Sequence, residues 1–370
     1  MGVRVKVAGV GLHPFGRFEG RSITDMGVHA VRAALAEAGN PAFQAAFCGT
    51  AYGGVATGHK VLGALALTGG PIVDIEAGCA SGGAALQLAA AAIRAGQYDC
   101  VLVFGVEKMP TGIIRSSFFE PWREQGGLAA TPAYFALRAQ RVLREAGLTK
   151  QHLAEVVVKN RANGVHNPDA MFRTAVTAEE VLASRVVCEP LHLWMLCSPN
   201  EGAAAVVLRR DDDQPGGVTL AAARLRSHLP GSVLGEATPL SGIDDTDIVP
   251  PSTLAARDAY EEAGIGPADL DVVECQDTDA ARELLAYQEL GLCAPGDQGR
   301  MLAEPSVVVN PSGGLLSRGE PLGASALGQV VEIVRQLRGE AGGRQVEGAR
   351  TGLAHTVGRG ANACCVLLTR

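Results

Sequence analysis

A cysteine stands where a short apolar run meets an alanine-rich stretch, in "VDIEAGCASGGAALQLAAAAIRAGQ" at positions 73 to 97. The pattern predicts a strand, a glycine turn and a helix, with Cys79 at the corner between them. Unpaired N–H groups and the positive end of the helix dipole favour a thiolate there, and the glycines let a substrate approach the backbone. Cys79 is therefore our candidate nucleophile. The alternative interpretation is a buried structural cysteine in a tight turn.

The elements that must hold this corner occur twice along the chain. The stretch "HAVRAALAEAGNPAFQAAFCGTAYGG" (29–54) resembles "AARDAYEEAGIGPADLDVVECQDTDA" (255–280), and "NEGAAAVVLRR" (200–210) resembles "GANACCVLLTR" (360–370). Two matches in the same order indicate two related halves. We predict an N-terminal half over 1–210 and a C-terminal half over 217–370, joined by the acidic, glycine-containing stretch "DDDQPGG".

Strand-like runs alternate with alanine-rich helical patterns in each half, which predicts an α/β fold with a mixed or largely parallel sheet covered by helices. The runs are 72–75, 100–104, 204–208, 271–275, 305–309 and 364–368. Residues from about 110 to 190 fit this alternation poorly. We predict that they form an inserted cap of helices and loops over one half, with an aromatic cluster at 110–140 that indicates an apolar pocket.

Composition excludes several classes of function. The chain has 370 residues, of which 47% are hydrophobic and 19% charged, and its net charge is -7. An acidic chain with scattered Lys and Arg is not expected to bind nucleic acid. Its longest apolar stretches, such as "ALQLAAAAI" at 85–93, are too short to span a bilayer, and the first residues do not resemble a secretion leader. We therefore expect a cytoplasmic protein without membrane association.

The nine cysteines are odd in number, widely spread and mostly in apolar surroundings. This distribution is typical of buried thiols in a reducing cytoplasm rather than of a disulfide framework. The sequence contains neither a C-x-x-C nor an H-x-x-x-H pair, so we expect no metal site.

Five segments together resemble the thiolase superfamily, in the branch of the sterol-carrier-protein-type thiolases and lipid-transfer acetyl-CoA acetyltransferases. They are "CASGGAALQLAAAAIRAGQYDCVLVFGVEKM", "KNRANGVHNP", "NEGAAAVVL", "VNPSGGLLSRGEPLGASALGQ" and "HTVGRGANACCVLL". The resemblance implies a five-layered α-β-α-β-α fold of two duplicated halves, a homodimer, and acyl-CoA substrates with no permanently bound cofactor. It also places the family's nucleophile on Cys79.

The sequence departs from this family at two loops. Where those thiolases have H-D-C-F this chain has "QDTD", and where they have G-H-P it has "GEP". Gln276 can donate a hydrogen bond to a thioester or enolate oxygen but cannot exchange a proton, and Thr278 is no general base. Glu320 takes the position of the histidine that activates the nucleophile. It can serve as a general base if burial makes the carboxylate accept a proton near neutral pH.

Glu320 also has a simpler interpretation, as a turn residue that bonds nearby backbone N–H groups. A fixed anion beside Cys79 would moreover disfavour the thiolate, the opposite of what an imidazolium does. Asp277 and Asp279 are expected to be solvated or helix-capping residues more than catalysts.

Three further groups of residues follow from the resemblance. Gly360 is expected to lend a backbone N–H to the oxyanion hole, and His355 precedes that turn, where a loop-packing role is favoured over proton transfer. The "NPSGGLLSRG" turn lacks the ending of a phosphate loop. Its residues and the glycine after "GEP" are candidate contacts for the pantetheine arm of coenzyme A: Asn310, Ser312, Gly313 and Gly323. Polar residues in such turns also commonly satisfy their own backbone.

These features predict a thiolase-like acyl-CoA acyltransferase that cleaves or forms a 3-oxoacyl-CoA through an acyl-enzyme on Cys79. The loss of the H-D-C-F pair leaves a retro-aldol lyase acting on a branched 3-hydroxyacyl-CoA as an alternative. A non-catalytic CoA-binding subunit is the second alternative, because thiolases of this branch often associate with a small partner made of a zinc ribbon and an OB-fold.

Overall fold

Ten strands form one sheet in the computed structural model, which describes residues 3–111, 125, 131–211, 216–229, 248–358 and 362–370. The strands are β1 (Val5–Gly16), β2 (Ala45–Gly49), β3 (Ile72–Ile75), β4 (Cys100–Lys108), β7 (Glu201–Arg210), β8 (Val218–Ser227), β9 (Val272–Cys275), β10 (Val308–Val309), β11 (Thr351–Gly358) and β12 (Asn362–Thr369). Two short strands, β5 (Val186–Cys188) and β6 (Leu191–His192), pair separately. The sheet order is β10-β9-β11-β12-β8-β1-β7-β4-β2-β3.

This sheet consists of one five-strand pattern used twice. From its edge inward, the first half reads β3-β2-β4-β7-β1 and the second half β10-β9-β11-β12-β8. In each half, the first three strands run parallel to one another. Each of the next two strands pairs antiparallel with the strand before it in this order. The halves meet through β1 and β8, where Lys6 pairs with Thr219 and Val7 with Val218. Both sequence repeats fall on equivalent strands, β2 with β9 and β7 with β12.

Helices lie between and outside the two half-sheets. They are α1 (Ile23–Glu37), α2 (Thr57–Gly63), α3 (Ser81–Arg94), α4 (Thr131–Glu145), α5 (Lys150–Gly164), α6 (Ala178–Ala183), α7 (Pro251–Ala263), α8 (Ala280–Glu289), α9 (Gln298–Ala303), α10 (Gly314–Arg318) and α11 (Leu322–Arg338). Helices α3 and α11 pack on each other and contact strands of both half-sheets, α1 covers β1 and β7, and α7 covers β8 and β12. The predicted five-layered thiolase fold is confirmed. Within the described ranges, no helix is long and apolar enough to cross a bilayer.

Local sequence explains where the outer helices begin and end. Ser22 and Asp25 form a reciprocal capping box at the start of α1. Helix α7 has Pro251 in its first turn and stops at Gly264, whose left-handed backbone favours glycine. The domain boundaries 1–210 and 217–370 stay a prediction, and residues 212–215 of the linker lie outside the described residues.

The central helices approach their neighbours through glycines. A Cβ at Gly82 would lie 3.0 Å from the carbonyl oxygen of Gly323, and one at Gly323 would lie 2.6 Å from that of Gly49. At Gly105, on β4, a Cβ would lie 2.9 Å from Ala324 Cα. Side chains at these positions would separate the elements. The N-terminal ends of α3 and α11 are thereby held together at one end of the molecule.

The described part of the predicted cap packs on the second half. Helices α4 and α5 contact α8, and α5 also contacts α10. Buried apolar side chains such as Leu153, Val157, Leu284 and Tyr287 belong to one core cluster there. The aromatic cluster predicted at 110–140 lies mostly outside the described residues, which omit 112–124 and 126–130.

Candidate active site

Cys79 occupies the strand-to-helix corner predicted for it, between β3 and α3. Gly78 has a φ of +60°, which a glycine adopts without strain. The Ser81 hydroxyl closes the turn: it accepts from Ala77 N at 2.8 Å and donates to Gly78 O at 2.6 Å. Cys79 is 6% exposed and packs against apolar side chains, those of Ala51, Met109 and Leu322. The thiol therefore lies at the N-terminal end of α3 in apolar surroundings.

Glu320 lies between α10 and α11 and is 5% exposed. Its backbone is bound to the segment before β7: Glu320 N donates to Ser198 O at 2.9 Å, and Asn200 N donates to Glu320 O at 3.4 Å. The preceding Gly319 has a φ of +81°, and a Cβ there would lie 2.9 Å from Ser198 O. A glycine is thus required for the turn to reach segment 197–200.

The structure brings Gln276 and Glu320 together. Gln276 follows β9, is completely buried, and donates from Nε2 to Glu320 Oε1 at 2.8 Å. Its Oε1 accepts a hydrogen bond from the backbone N–H of Val357 on β11. The two bonds fix which end of the amide is the donor. Since an NH2 group carries two hydrogens, the second remains for a further acceptor.

Cys197 is the principal residue that sequence reasoning missed. Its Sγ donates to Glu320 Oε2 at 3.3 Å. Burial is the main cause that raises the pKa of the Cys197 thiol well above its usual value, and the charges of Glu320, Asp277 and Cys79 raise it further. The thiol is therefore protonated at neutral pH and lies near the candidate nucleophile. One signal was available: Cys197 stands just before the repeat at 200–210, whose counterpart at 360–370 begins with Gly360, the predicted donor to the oxyanion hole.

Asp277 is buried and joins the two variant loops. Its carboxylate accepts from Leu315 N at 2.6 Å, Leu316 N at 3.2 Å and Asn160 Nδ2 at 2.8 Å, so it caps the start of α10. Burial raises its pKa well above the usual value, and the neighbouring charge of Glu283 adds to this shift. The capping role expected for Asp277 is present, but the carboxylate is not solvated.

Arg138 on α4 reaches the same loop from the cap. It forms an ion pair with Asp279 and lies 3.4 Å from Thr278 Oγ1. Asp279 also caps α8, where its Oδ1 accepts from Arg282 N at 3.0 Å. Both partners are nearly or fully buried. Thr278 thus contacts a cation from the cap.

A second residue that sequence reasoning missed, the carboxylate Glu107, links the halves. It is fully buried at the end of β4 and accepts from Ala51 N at 2.8 Å, Tyr52 N at 3.0 Å and Gly323 N at 3.1 Å. Burial raises its pKa. Glu107 therefore ties the loop after β2 to the start of α11.

The remaining predicted site residues face the interior. His355 Nε2 lies 3.0 Å from Ser252 Oγ on α7, a contact that favours the packing role over proton transfer. Asn310 Nδ2 donates to Glu283 at 2.8 Å, and Ser312 Oγ donates to Glu274 at 2.6 Å.

These polar side chains, His355, Asn310 and Ser312, are completely buried. Gly313, with a φ of +93°, is also buried, and Gly323 lies against Gly49 and Thr50. Gly360 lies outside the described residues. Direct contacts of these residues with coenzyme A stay predictions. No cluster of metal-ligating side chains occurs among the residues described.

Comparison with known proteins identifies the class to which this fold and site belong. The thiolase N-terminal domain matches residues 5–212, and a thiolase C-terminal domain-like family matches residues 239–370. The chain belongs to the thiolase family, and its resemblance to acyl-CoA C-acyltransferases is confirmed.

Particular relatives cover almost the whole chain. An acetyl-CoA acetyltransferase from Methanothermobacter thermautotrophicus is 37% identical over 96% of this chain and 96% of its own length. Sterol carrier protein 2 from Bos taurus is 34% identical over 96% of this chain and 70% of its own length. Benzoylsuccinyl-CoA thiolase subunit BbsB from Thauera aromatica is 34% identical over 97% of this chain and 96% of its own length.

Solved structures share the fold. The Ltp2-ChsH2(DUF35) aldolase matches with a TM-score of 0.87 at 23% identity, over 99% of this chain and 97% of that chain. The human mitochondrial 3-ketoacyl-CoA thiolase matches with a TM-score of 0.75 at 16% identity, over 99% of each chain.

Proposed function

We propose that this thiolase cleaves or forms 3-oxoacyl-CoA thioesters through an acyl-enzyme on Cys79, with coenzyme A as co-substrate. The observation that carries the proposal is the position of the Cys79 thiol directly before the first turn of α3, near the hydrogen-bonded pair of Cys197 and Glu320. Helix N-terminal N–H groups stabilise both a thiolate and the oxyanion formed when it attacks a carbonyl.

In the degradative direction, the Cys79 thiolate attacks the β-carbonyl carbon and the bond between C2 and C3 breaks. Gln276 donates its second amide hydrogen to the thioester oxygen of the departing enolate. The fixed orientation of the Gln276 amide, between Val357 N and Glu320, supports this role because preorganised donors need no rearrangement as charge develops.

Glu320 is proposed as the base that accepts the proton of Cys79 or of the coenzyme A thiol. The support is geometric: both carboxylate oxygens are engaged, one by Gln276 and one by Cys197, so the group has one orientation. Burial makes an unneutralised carboxylate costly, which favours its acceptance of a proton during turnover.

The pantetheine arm is proposed to run along the backbone at the start of α11. Leu322 contacts Cys79, which puts the start of α11 beside the nucleophile. Asn310 and Ser312 shape the glycine turn from inside through their bonds to Glu283 and Glu274. The acyl chain itself is not specified by these contacts.

Mass spectrometry of the protein after incubation with acetoacetyl-CoA tests the proposal. We expect an acetyl adduct on the Cys79 peptide and a loss of turnover of about a thousandfold or more in Cys79→Ala. Cys188→Ala, which removes a half-buried thiol on β5, is the matched control and should retain both the acetyl adduct on Cys79 and wild-type turnover. A fully active Cys79→Ala would contradict the proposal and favour the retro-aldol lyase. Coenzyme A binding with neither adduct nor turnover would favour a non-catalytic subunit.

A homodimer through the β3 edge is part of the proposal. The β3 strand ends the sheet, and apolar side chains are exposed on it and in the nearby loop: Val73 at 43%, Tyr52 at 42% and Val55 at 88%. An unpaired edge strand with apolar side chains is suited to pairing with a second copy. Analytical ultracentrifugation should give a dimer for the wild type and a monomer for Val73→Lys; equal masses would contradict this interface.

A small zinc-ribbon and OB-fold partner and a cytoplasmic location complete the proposal. The fold neighbour named Ltp2-ChsH2(DUF35) aldolase is a two-component protein by name, and BbsB is named a subunit. None of the nine cysteines, all of which lie in the described ranges, is joined in a disulfide, which supports a reducing compartment. Co-purification from the native host, followed by mass spectrometry of the bound proteins, tests for the partner.

A further inference from the structure

Segment 197–200 lies between the two loops in which this chain departs from its family. Leu196 bridges Asp279 on one side, and Pro199 bridges Glu320 on the other. In addition, Cys197 N donates to Thr278 O at 2.9 Å. These backbone bonds fix the position of the Cys197 side chain at the junction of both loops. They depend on backbone atoms alone, so a substitution at Cys197 leaves them in place.

The Cys197 thiol has the state and the surroundings of a proton donor. Its S–H points to Glu320 Oε2 at 3.3 Å, and the residue Cys197 as a whole is half-buried. Two contacts place this segment beside the nucleophile: Met109, whose N–H donates to Asn200 O at 3.2 Å, and Leu322, which follows Glu320 by two positions, both pack against Cys79. Thr278, where a thiol stands in related thiolases, instead has its hydroxyl beside Arg138.

We infer that Cys197 is a catalytic acid and base at the α-carbon: it protonates C2 of the departing enolate in cleavage and deprotonates C2 in condensation. This inference rests on the proposed thiolase function. It assigns the proton transfer at C2, for which neither Gln276 nor Thr278 has a suitable group. Glu320 acts on C2 only through Cys197.

The protons balance over one turnover. Glu320 takes the proton of Cys79, and the thiolate attacks C3 of the 3-oxoacyl-CoA. The bond between C2 and C3 breaks, and its electron pair stays on C2. Cys197 gives its proton to C2 and recovers one from the protonated Glu320 through their hydrogen bond. The coenzyme A thiol then gives its proton to Glu320, its thiolate removes the acyl group from Cys79, and Cys79 takes that proton back.

Exchange of the methyl protons of acetyl-CoA in D2O, followed by NMR, measures the C2 step. Acetylation of Cys79 by acetyl-CoA, followed by mass spectrometry, measures the nucleophile separately. We expect Cys197→Ala to acetylate within about threefold of the wild-type rate while exchange falls at least about a hundredfold. Cys293→Ala, which removes another partly buried thiol, is the matched control and should retain both rates.

Cys197→Ser distinguishes chemistry from packing. A serine hydroxyl can bond Glu320 as the thiol does but is far too weak an acid to protonate carbon at this rate, so exchange should stay as low as in the alanine variant. Rescue of exchange by serine, wild-type exchange in Cys197→Ala, or a wild-type protein that acetylates without exchange would each overturn the inference. Absence of Cys79 acetylation in the wild type would instead refute the proposed thiolase function.

Discussion

Replacement of Asp277 by alanine is expected to loosen the turn that carries Glu320. The carboxylate accepts hydrogen bonds from Leu315 N, Leu316 N and Asn160 Nδ2, all of them buried. A buried donor left without an acceptor costs about 1–3 kcal/mol, so the two backbone donors cost roughly 2–6 kcal/mol before relaxation. Asn160 Nδ2 keeps Glu283 Oε2 as an acceptor. Removal of a buried carboxylate near Glu283 offsets part of this cost. We expect a net loss of about 3 kcal/mol in the free energy of unfolding.

Urea denaturation followed by tryptophan fluorescence provides the measurement. With an m-value of about 3 kcal/mol/M, the midpoint should fall by roughly 1 M. Asp277→Asn keeps an acceptor oxygen and should lose much less. Asp25→Ala, which removes an exposed capping carboxylate from α1, is the matched control and should shift the midpoint less than Asp277→Ala does. Equal shifts for Asp25→Ala and Asp277→Ala would refute the capping role derived for this loop.

Three further outcomes follow from buried contacts. Gly105→Ala should destabilise the protein by about 2 kcal/mol, because its Cβ would meet the backbone at the start of α11. Gly63→Ala in α2 is the control: its Cβ would enter open space, so the change should be neutral or slightly stabilising. Thermal melts of the two variants provide the comparison. Burial is the main cause that raises the pKa of Glu274 to about 7 from its usual value near 4.5. The folded state therefore retains a proton that the unfolded chain releases. The contribution of Glu274 to the free energy of unfolding is therefore greatest below pH 4.5 and falls by about 3 kcal/mol as the pH rises to 7 and beyond. Denaturant titrations at pH 5 to 8 should show this fall in the wild type but not in Glu274→Gln. Arg138→Met should lower the free energy of unfolding by about 3 kcal/mol, because it leaves the buried charge of Asp279 without its ion-pair partner. Urea titrations of the variant and the wild type measure the difference, and equal midpoints would contradict it.

The elements with strong local patterns were predictable. The runs predicted at 72–75 and 271–275 match the observed bounds of β3 and β9 almost to the residue. Both signals used, the pattern of apolar residues and the turn residues that flank it, lie within a few positions of the strand. The run at 305–309 forms a strand only at Val308–Val309. Only Val308 and Val309 pair with β9, opposite Val272 and Val273. The length of this strand is therefore set by where its partner begins and not by the apolar run itself.

The site was predictable only where a local pattern or a family motif marked it. Cys79 was identified by its turn and helix. The hydrogen bond between Cys197 and Glu320 joins residues 123 positions apart, and no local pattern in either segment indicates the other. His355 shows the same limit: its strand register and its contact with Ser252 on α7 follow from tertiary packing. Hydrogen-bonded networks of this kind depend on loops that meet only after both half-sheets have formed.

Duplication explains why Cys79 and Glu320 belong to one site. β3 and β10 hold equivalent places in the two half-sheets. β3 is followed by the turn before α3, whereas β10 is followed by α10 and then by the turn before α11. Cys79 lies in the first of these turns and Glu320 in the second. Because Gly82 at the start of α3 lies against Gly323 at the start of α11, these two turns come together. Divergence of the copies then allowed one corner to hold a thiol and the other a carboxylate, so neither half contains the site alone.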